Sequence, residues 1–204
     1  MLLSSMQIEV FRDFKRAPWR KGLGFTEELL IEPRAANFSQ DLFRYRISSA
    51  AVSGKTEFSK FSGYQRLLVL LNGTLKLSHQ NGTTSLISQL DLEAFVPHFF
   101  SGNDLTLAEV VGKESIRDFG IIFYPDLNLK CKILFERIDL KLDEEKKYFI
   151  FCSGTPARIL SSDLKPNELA LLTSRKSEII PICPSSPLIL IELDEYKKSA
   201  TESK

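Results

Sequence analysis

The chain has 204 residues, enough for one large β domain or two small ones sharing a core, and a chain of this size buries about 70% of its unfolded surface without staples. Lysine and arginine total 27 against 26 aspartates and glutamates. The resulting net charge of +1 lacks both the basic footprint of a nucleic-acid binder and the polybasic signature of a membrane-surface protein.

Cys131, Cys152 and Cys183 are scattered, with no CxxC spacing, and read as reduced thiols of a cytoplasmic protein. No apolar run is long enough to span a bilayer, and "MLLSSMQIEV" lacks the apolar stretch and cleavage site of a signal peptide. The Asn-x-Ser/Thr triplets at Asn37, Asn72 and Asn81 are therefore read as unglycosylated, and the latter two as Asn-Gly turns.

Taken in chain order, the periodicity is that of strands. "LFRYRISSAAV" alternates, with Phe43, Tyr45 and Ile47 on one face and Arg44, Arg46 and Ser48 on the other. "RLLVLLNGTLKLSHQNGTTSLI" reads as three short strands separated by two Asn-Gly turns suited to type I′ hairpins. "LTLAEVV" and "SIRDFGIIFY" follow. Beyond Pro125 the texture recurs in "CKILFERIDLKL", "KYFIFCS", "ARILSS", "ELALLTS", "EIIPI" and "PLILIEL". Only "DLNLK" and "SSDLKPNE" could form a turn of helix. Strands this dense predict an all-β sandwich or barrel.

"LISQLDLEAFVPH" and "ILSSDLKPNELALLT" both run from a strand through a polar turn into an apolar strand, which suggests an internal duplication. The expected division is a first barrel over residues 1–125 and a second over 126–195, with a boundary in "YPDLNLK" and strands exchanged between the halves. The polar segment 196–204 is expected to be a disordered tail.

Several motifs fail on inspection. "SGKTEF" contains Gly-Lys-Thr, but Ser49 stands where a P-loop needs its first glycine. "GLGFTEE" lacks the third glycine and the βαβ context of a dinucleotide site. No Gly-x-Ser-x-Gly elbow is present, and Asp143, Glu144 and Glu145 sit in a charged, solvated loop. A catalytic cupin barrel presents two histidines one residue apart, a nearby glutamate and a third histidine. This chain has only His79, expected to be exposed between two turns, and His98. No metal and no cofactor are expected.

The arginines remain. Arg66 opens a strand that is apolar on both faces, so it is expected at the inner rim of a barrel. A buried guanidinium must reach water, a carboxylate or an anionic ligand, because leaving it unpaired costs several kcal/mol. Two outcomes stay open: a structural bridge to Asp118 in "SIRDFGII", or a ligand carboxylate held by Arg46 and Arg66.

"PWRKGLGFTEEL", "FRYRISSAAVSGKTEFSKFSGYQRLLVLLNGTLKL", "FSGND" and "RDFGIIF" together resemble the HutD/Ves family over residues 18 to 123. Trp19, Gly22, Gly24, Thr26 and Glu28 match its first block, Arg46, Ser48 and Ala50 its second, and Phe58, Ser59, Phe61, Gly63 and Arg66 its third. Phe100, Gly102 and Asp118 match later positions. The departures are Lys21, Leu23, Tyr45, Ser62, Gln65, Asn103 and Gly120, where the family usually has Asn, Gly, Trp, Pro, Asp, Asp and Asn.

The resemblance implies a double cupin, or bicupin, without metal-binding histidines and with a loose link to histidine utilisation or stress response. The expected site, Trp19, Arg46, Ser48, Phe58, Ser59, Phe61, Arg66, Phe100 and Asp118, would take a small anionic metabolite such as a formylglutamate-like carboxylate. The other reading is a metal-independent isomerase or hydrolase with Asp118 or Glu28 as general base. Oligomeric state stays open, with the sheet-mediated homodimer common among cupin barrels as one arrangement.

Overall fold

Thr74–Gln80 alternates leucines with polar residues, and the structure realises that alternation as a strand with Leu75, Leu77 and His79 on its buried face. The same rule governs the whole chain. The structure is a computed structural model describing residues 6–19, 24–81, 83–84, 87–112, 115–160 and 162–195, and among these there is no helix. The family departures at Lys21 and Leu23, the match at Gly22 and the tail 196–204 lie outside the described residues. Among the described residues no helix is long and apolar enough to cross a membrane.

The described residues form nineteen strands. Strand β1 spans Met6–Phe11. The next ten are β2 Lys15–Pro18, β3 Gly24–Glu32, β4 Tyr45–Val52, β5 Lys55–Phe58, β6 Gln65–Leu70, β7 Thr74–Gln80, β8 Ile87–Glu93, β9 His98–Ser101, β10 Leu105–Val110 and β11 Ile116–Phe123. The remainder are β12 Leu127–Leu134, β13 Ile138–Leu142, β14 Lys146–Cys152, β15 Ala157–Ile159, β16 Ser162–Leu164, β17 Leu169–Ser174, β18 Glu178–Cys183 and β19 Leu188–Glu195. The stretches considered for helix are strands instead: "DLNLK" enters β12, and "SSDLKPNE" holds β16.

The chain divides into two units, residues 11–125 and residues 1–10 with 126–204. In the first, a six-stranded antiparallel sheet, β2-β3-β4-β11-β6-β9, faces a four-stranded one, β5-β10-β7-β8. Between them Val52, Phe58, Leu68, Leu70, Leu75, Leu77, Leu92, Phe100, Ala108, Val110 and Ile116 make one core, with Trp19 and Leu90 against it. The other unit repeats the plan with sheets β1-β17-β14-β19-β12 and β13-β18-β15-β16. Its core runs through Tyr148, Ile150, Leu172, Ile182 and Leu190. One division between the units lies between Pro125 and Asp126, and β1 joins the sheet of the later unit.

One turn differs from its sequence reading. Asn72-Gly73 does not make a β6–β7 hairpin, since those strands belong to different sheets. It is a corner: Gly73 takes a positive φ of 69°, and the Asn72 side chain accepts the Arg117 amide proton at 2.7 Å. Strands β7 and β8 do pair, from Thr74 opposite Glu93 to Gln80 opposite Ile87. Their connection is longer than a two-residue turn, and Asn81 caps the Thr83 and Thr84 amides.

Candidate functional site: an arginine within aromatic walls

Register places the inward side chains of the six-stranded sheet in rows. In one row Ile122 on β11 lies opposite Arg46 on β4 and Arg66 on β6, and Arg66 lies opposite Phe100 on β9. The next row is Glu28, Ser48, Gly120, Leu68 and His98. The third is Thr26, Ala50, Asp118 and Leu70. Period-two geometry thus brings residues distant in sequence onto one inner face.

The two arginines in the first row have different surroundings. Arg46 Nε donates to Glu28 Oε2 at 2.8 Å, and its guanidinium lies 3.8 Å from the centre of the Phe38 ring. Burial lowers its pKa, while the Glu28 bond and charge pull the other way. Arg46 is therefore already matched.

Arg66 is partly buried, with its guanidinium 5.1, 5.5 and 5.0 Å from the ring centres of Phe58, Phe61 and Phe100. Such cation–π contacts contribute about 0.5–2 kcal/mol each. Its Nη1 donates to the Ser59 carbonyl at 3.1 Å, and among the described residues no other hydrogen-bond or ion-pair partner reaches it. Burial lowers its pKa to about 10, opposed by Asp118 and reinforced by Arg46, so it stays charged at neutral pH. Most of its five N–H donors have no protein partner among the described residues.

Asp118 is not bridged to Arg66. Its Oδ1 accepts the Ala50 amide at 3.1 Å, and burial drives its pKa up to about 7, with the Ala50 bond and the Arg66 and Arg117 charges holding it back. The direct bridge considered from sequence is replaced by attraction at longer range. Arg117, one residue earlier, pairs with Glu27 at 2.8 Å and bonds to Ser49.

The remaining expected residues play varied parts. Trp19 Nε1 donates to Thr26 Oγ1 at 2.8 Å and packs on the core, so its polar atom is engaged. Ser48 is half-buried in the row of Gly120. Ser59 is exposed and offers its backbone carbonyl rather than its hydroxyl. The Phe61 turn is tied to Gly102 by two backbone bonds, Phe61 N–H to Gly102 O and Gly102 N–H to Tyr64 O, both 2.8 Å. A Cβ on Gly102 would lie 2.4 Å from the Phe61 carbonyl oxygen, which explains glycine there. Gly120 is different: a Cβ there would meet the Leu67 carbonyl oxygen at 3.7 Å, an ordinary contact, so a side chain could be accommodated between the arginine row and Asp118.

An open cavity of about 300 Å³ is lined by Phe38, Phe43, Lys60, Phe61 and Tyr64. It shares Phe38 with the surroundings of Arg46 and Phe61 with those of Arg66.

The histidines correct the sequence reading. His79 is only 5% exposed, not solvated. Its Nδ1 meets Thr106 Oγ1 at 2.9 Å, and its Nε2 meets His98 Nε2 at 2.9 Å, a bond that crosses between the two sheets. Both rings pack on Phe100, their centres 4.7 and 5.4 Å from its own. Burial lowers both pKa values. For His79 the His98 and Arg66 charges add to the fall, and Asp104 opposes it. The signal for His79 was present in "TLKLSHQ", whose alternation puts it with Leu75 and Leu77. Glu28 and Phe38 as partners of Arg46 had no comparable local signal.

Among the described residues no group of three or more His, Cys, Asp or Glu is placed to hold a metal ion. The two imidazoles stand beside a guanidinium, which opposes a cation, so the donor set does not fit a divalent metal.

Comparison with known proteins gives this geometry a context. An uncharacterised 21.2 kDa protein of the hutC 3′ region of Pseudomonas putida is 34% identical over 123 residues, 60% of each chain. Protein Ves of Escherichia fergusonii is 30% identical over 114 residues, 54% of this chain and 55% of that one. These matches span less than two thirds of the relatives' length. Among solved structures, HutD from Pseudomonas fluorescens SBW25 (formate condition) superposes with a TM-score of 0.78 at 23% identity, covering 94% of this chain and 100% of that one. The pirin YhhW of Escherichia coli, solved with nickel(II), gives 0.64 at 12% identity, covering 93% and 100%. Both likenesses concern the fold, a double cupin. A family model described as HutD matches residues 11–180, and the chain belongs to the HutD family, whose curated relatives include Ves proteins.

Proposed function

We propose that the 11–125 unit is a small-molecule binding module that holds a carboxylate against Arg66, in a role linked to histidine utilisation or stress response. The observation carrying this reading is the unspent guanidinium. Arg66 is charged, walled by three phenylalanines and bonded only to the Ser59 carbonyl among the described residues. A planar fork with free donors in a low-dielectric wall suits bidentate capture of a carboxylate. Gly120 places no side chain in the next row, and the apolar walls select a small organic anion over a hydrated inorganic one.

One observation favours an enzyme as the second reading: Asp118, with a pKa near 7, has the affinity a general base needs. Asp118 is 6% exposed and its carboxylate accepts the Ala50 amide proton, which favours a structural part in binding.

A thermal-shift screen tests the first reading, using formate, butyrate, succinate, glutarate, glutamate and N-formylglutamate. The expected result is a rise in melting temperature with at least one of them, lost in Arg66→Gln. No shift with any of the six counts against the reading. Turnover of a bound compound that disappears in Asp118→Asn would favour the enzyme.

A further inference from the structure

Three polar side chains inside the first unit have no part in holding Arg66. Thr106 on β10, His79 on β7 and His98 on β9 form a continuous hydrogen-bonded chain with two 2.9 Å links. Thr106 is 1% exposed and His79 5%, so this chain is sealed at one end. At the other end His98 is half-buried, and its Nδ1 has no partner among the described residues.

Two imidazole nitrogens can share a hydrogen bond only if one carries the proton. Two arrangements satisfy the geometry. In one, His79 Nε2–H donates to His98 Nε2, so His98 carries its proton on Nδ1 and presents a donor. In the other, His98 Nε2–H donates to His79 Nε2, His79 Nδ1–H donates to Thr106 Oγ1, and His98 Nδ1 presents a lone pair. The free nitrogen can thus be donor or acceptor while the dyad stays neutral overall.

Its position is fixed by register. His98 lies opposite Leu68, which lies opposite Gly120, so His98 and the glycine share a row with Leu68 between them. The row of Arg66 and Phe100 is two residues away along the strands, about 7 Å. A compound of four or five heavy atoms in its chain can span that interval.

We propose that His98, relayed through His79 to Thr106, is the second polar arm of this site and reads an uncharged hydrogen-bonding group, so that the preferred ligand is a short carboxylate bearing a terminal amide. This rests on the carboxylate reading of Arg66. Charge explains the preference for a neutral group. Burial keeps both imidazoles neutral; at His79 the Arg66 charge on β6 adds to this and Asp104 in the β9–β10 turn opposes it, while Arg46 and Asp118 lie beyond Arg66. A neutral imidazole in a desolvated wall gains little from a second carboxylate and strips its water. An amide offers both a donor and an acceptor, and either tautomeric arrangement can meet one of them.

Calorimetric titration at pH 7.5 with butyrate, succinate and succinamate tests this, because the three share a four-carbon skeleton and differ only at the far end. Succinamate is expected to bind at least tenfold more tightly than either of the others. His98→Leu and Thr106→Val should each reduce that advantage to less than threefold, the second by unlocking the relay without touching the ligand. In nitrogen-15 spectra of the histidine rings, His98 Nδ1 should move on adding succinamate. Equal affinities for butyrate and succinamate that both depend on Arg66 would overturn the second arm and leave the carboxylate reading standing. No binding of any of the three, with Arg66→Gln indistinguishable from wild type, would overturn both.

Discussion

Asp118 and Arg66 attract each other without touching: the carboxylate is bonded to the Ala50 amide, and the guanidinium to the Ser59 carbonyl. A closed bridge would have cancelled both charges and left an inert barrel. Held apart, they leave a cation available at one level of the inner face and an acid with a strongly raised pKa two rows away.

That acid makes stability depend on pH. The folded-state pKa of Asp118, about 7, lies above its ordinary value of 3.8. Between these values the folded protein keeps a proton that the unfolded chain has released. The contribution is therefore complete below pH 3.8 and is lost as pH rises towards 7, for a total of roughly 2–4 kcal/mol. Urea unfolding between pH 4.5 and 7.5 should show this decline in wild type and a flatter profile in Asp118→Asn. Parallel profiles would show that Asp118 ionises normally.

Arg46 is held by Glu28 with both side chains largely out of water, 10% and 16% exposed. Glu28→Gln removes the countercharge and leaves the guanidinium with a neutral amide oxygen and the Phe38 face. The expected cost is about 2–4 kcal/mol, near the range for breaking a buried pair, read as a lower urea midpoint with unchanged slope. Arg46→Met in the same background should recover part of it, because the stranded charge is then removed.

Gly120 tests whether the inner face between the Arg66 row and Asp118 is the ligand's seat. Valine there meets no backbone closer than ordinary contact, and β11 continues without a positive-φ position. Gly120→Val should fold with stability within about 1 kcal/mol of wild type and lower carboxylate affinity at least tenfold. Unchanged affinity, measured by calorimetry, would move the ligand elsewhere.

The strands and the inward arginines were legible in the sequence because alternation is a local property: "LFRYRISS" puts Arg46 and Ser48 on one face whatever lies opposite. Arg66 could be placed inside because "RLLVLL" is apolar on both faces. What lies opposite was less legible. Glu28 meets Arg46 and His79 meets His98 across strands 18 and 19 residues apart in sequence, pairings set by register and sheet stacking rather than by spacing. The Asn72-Gly73 dipeptide misled for a related reason, since the same turn chemistry serves a hairpin and a corner between sheets. His79 was misplaced despite its alternation, because the neighbouring turn residues outweighed the leucines two and four positions before it.

The most direct measurement is the Arg66 Nε–H resonance in nitrogen-15 spectra, followed as a binding carboxylate is titrated to saturation. The account predicts a large, saturable shift of that resonance, with the same apparent affinity as calorimetry and at least a tenfold loss of affinity in Arg66→Gln. A carboxylate that binds to saturation while the Arg66 resonance stays still would contradict it.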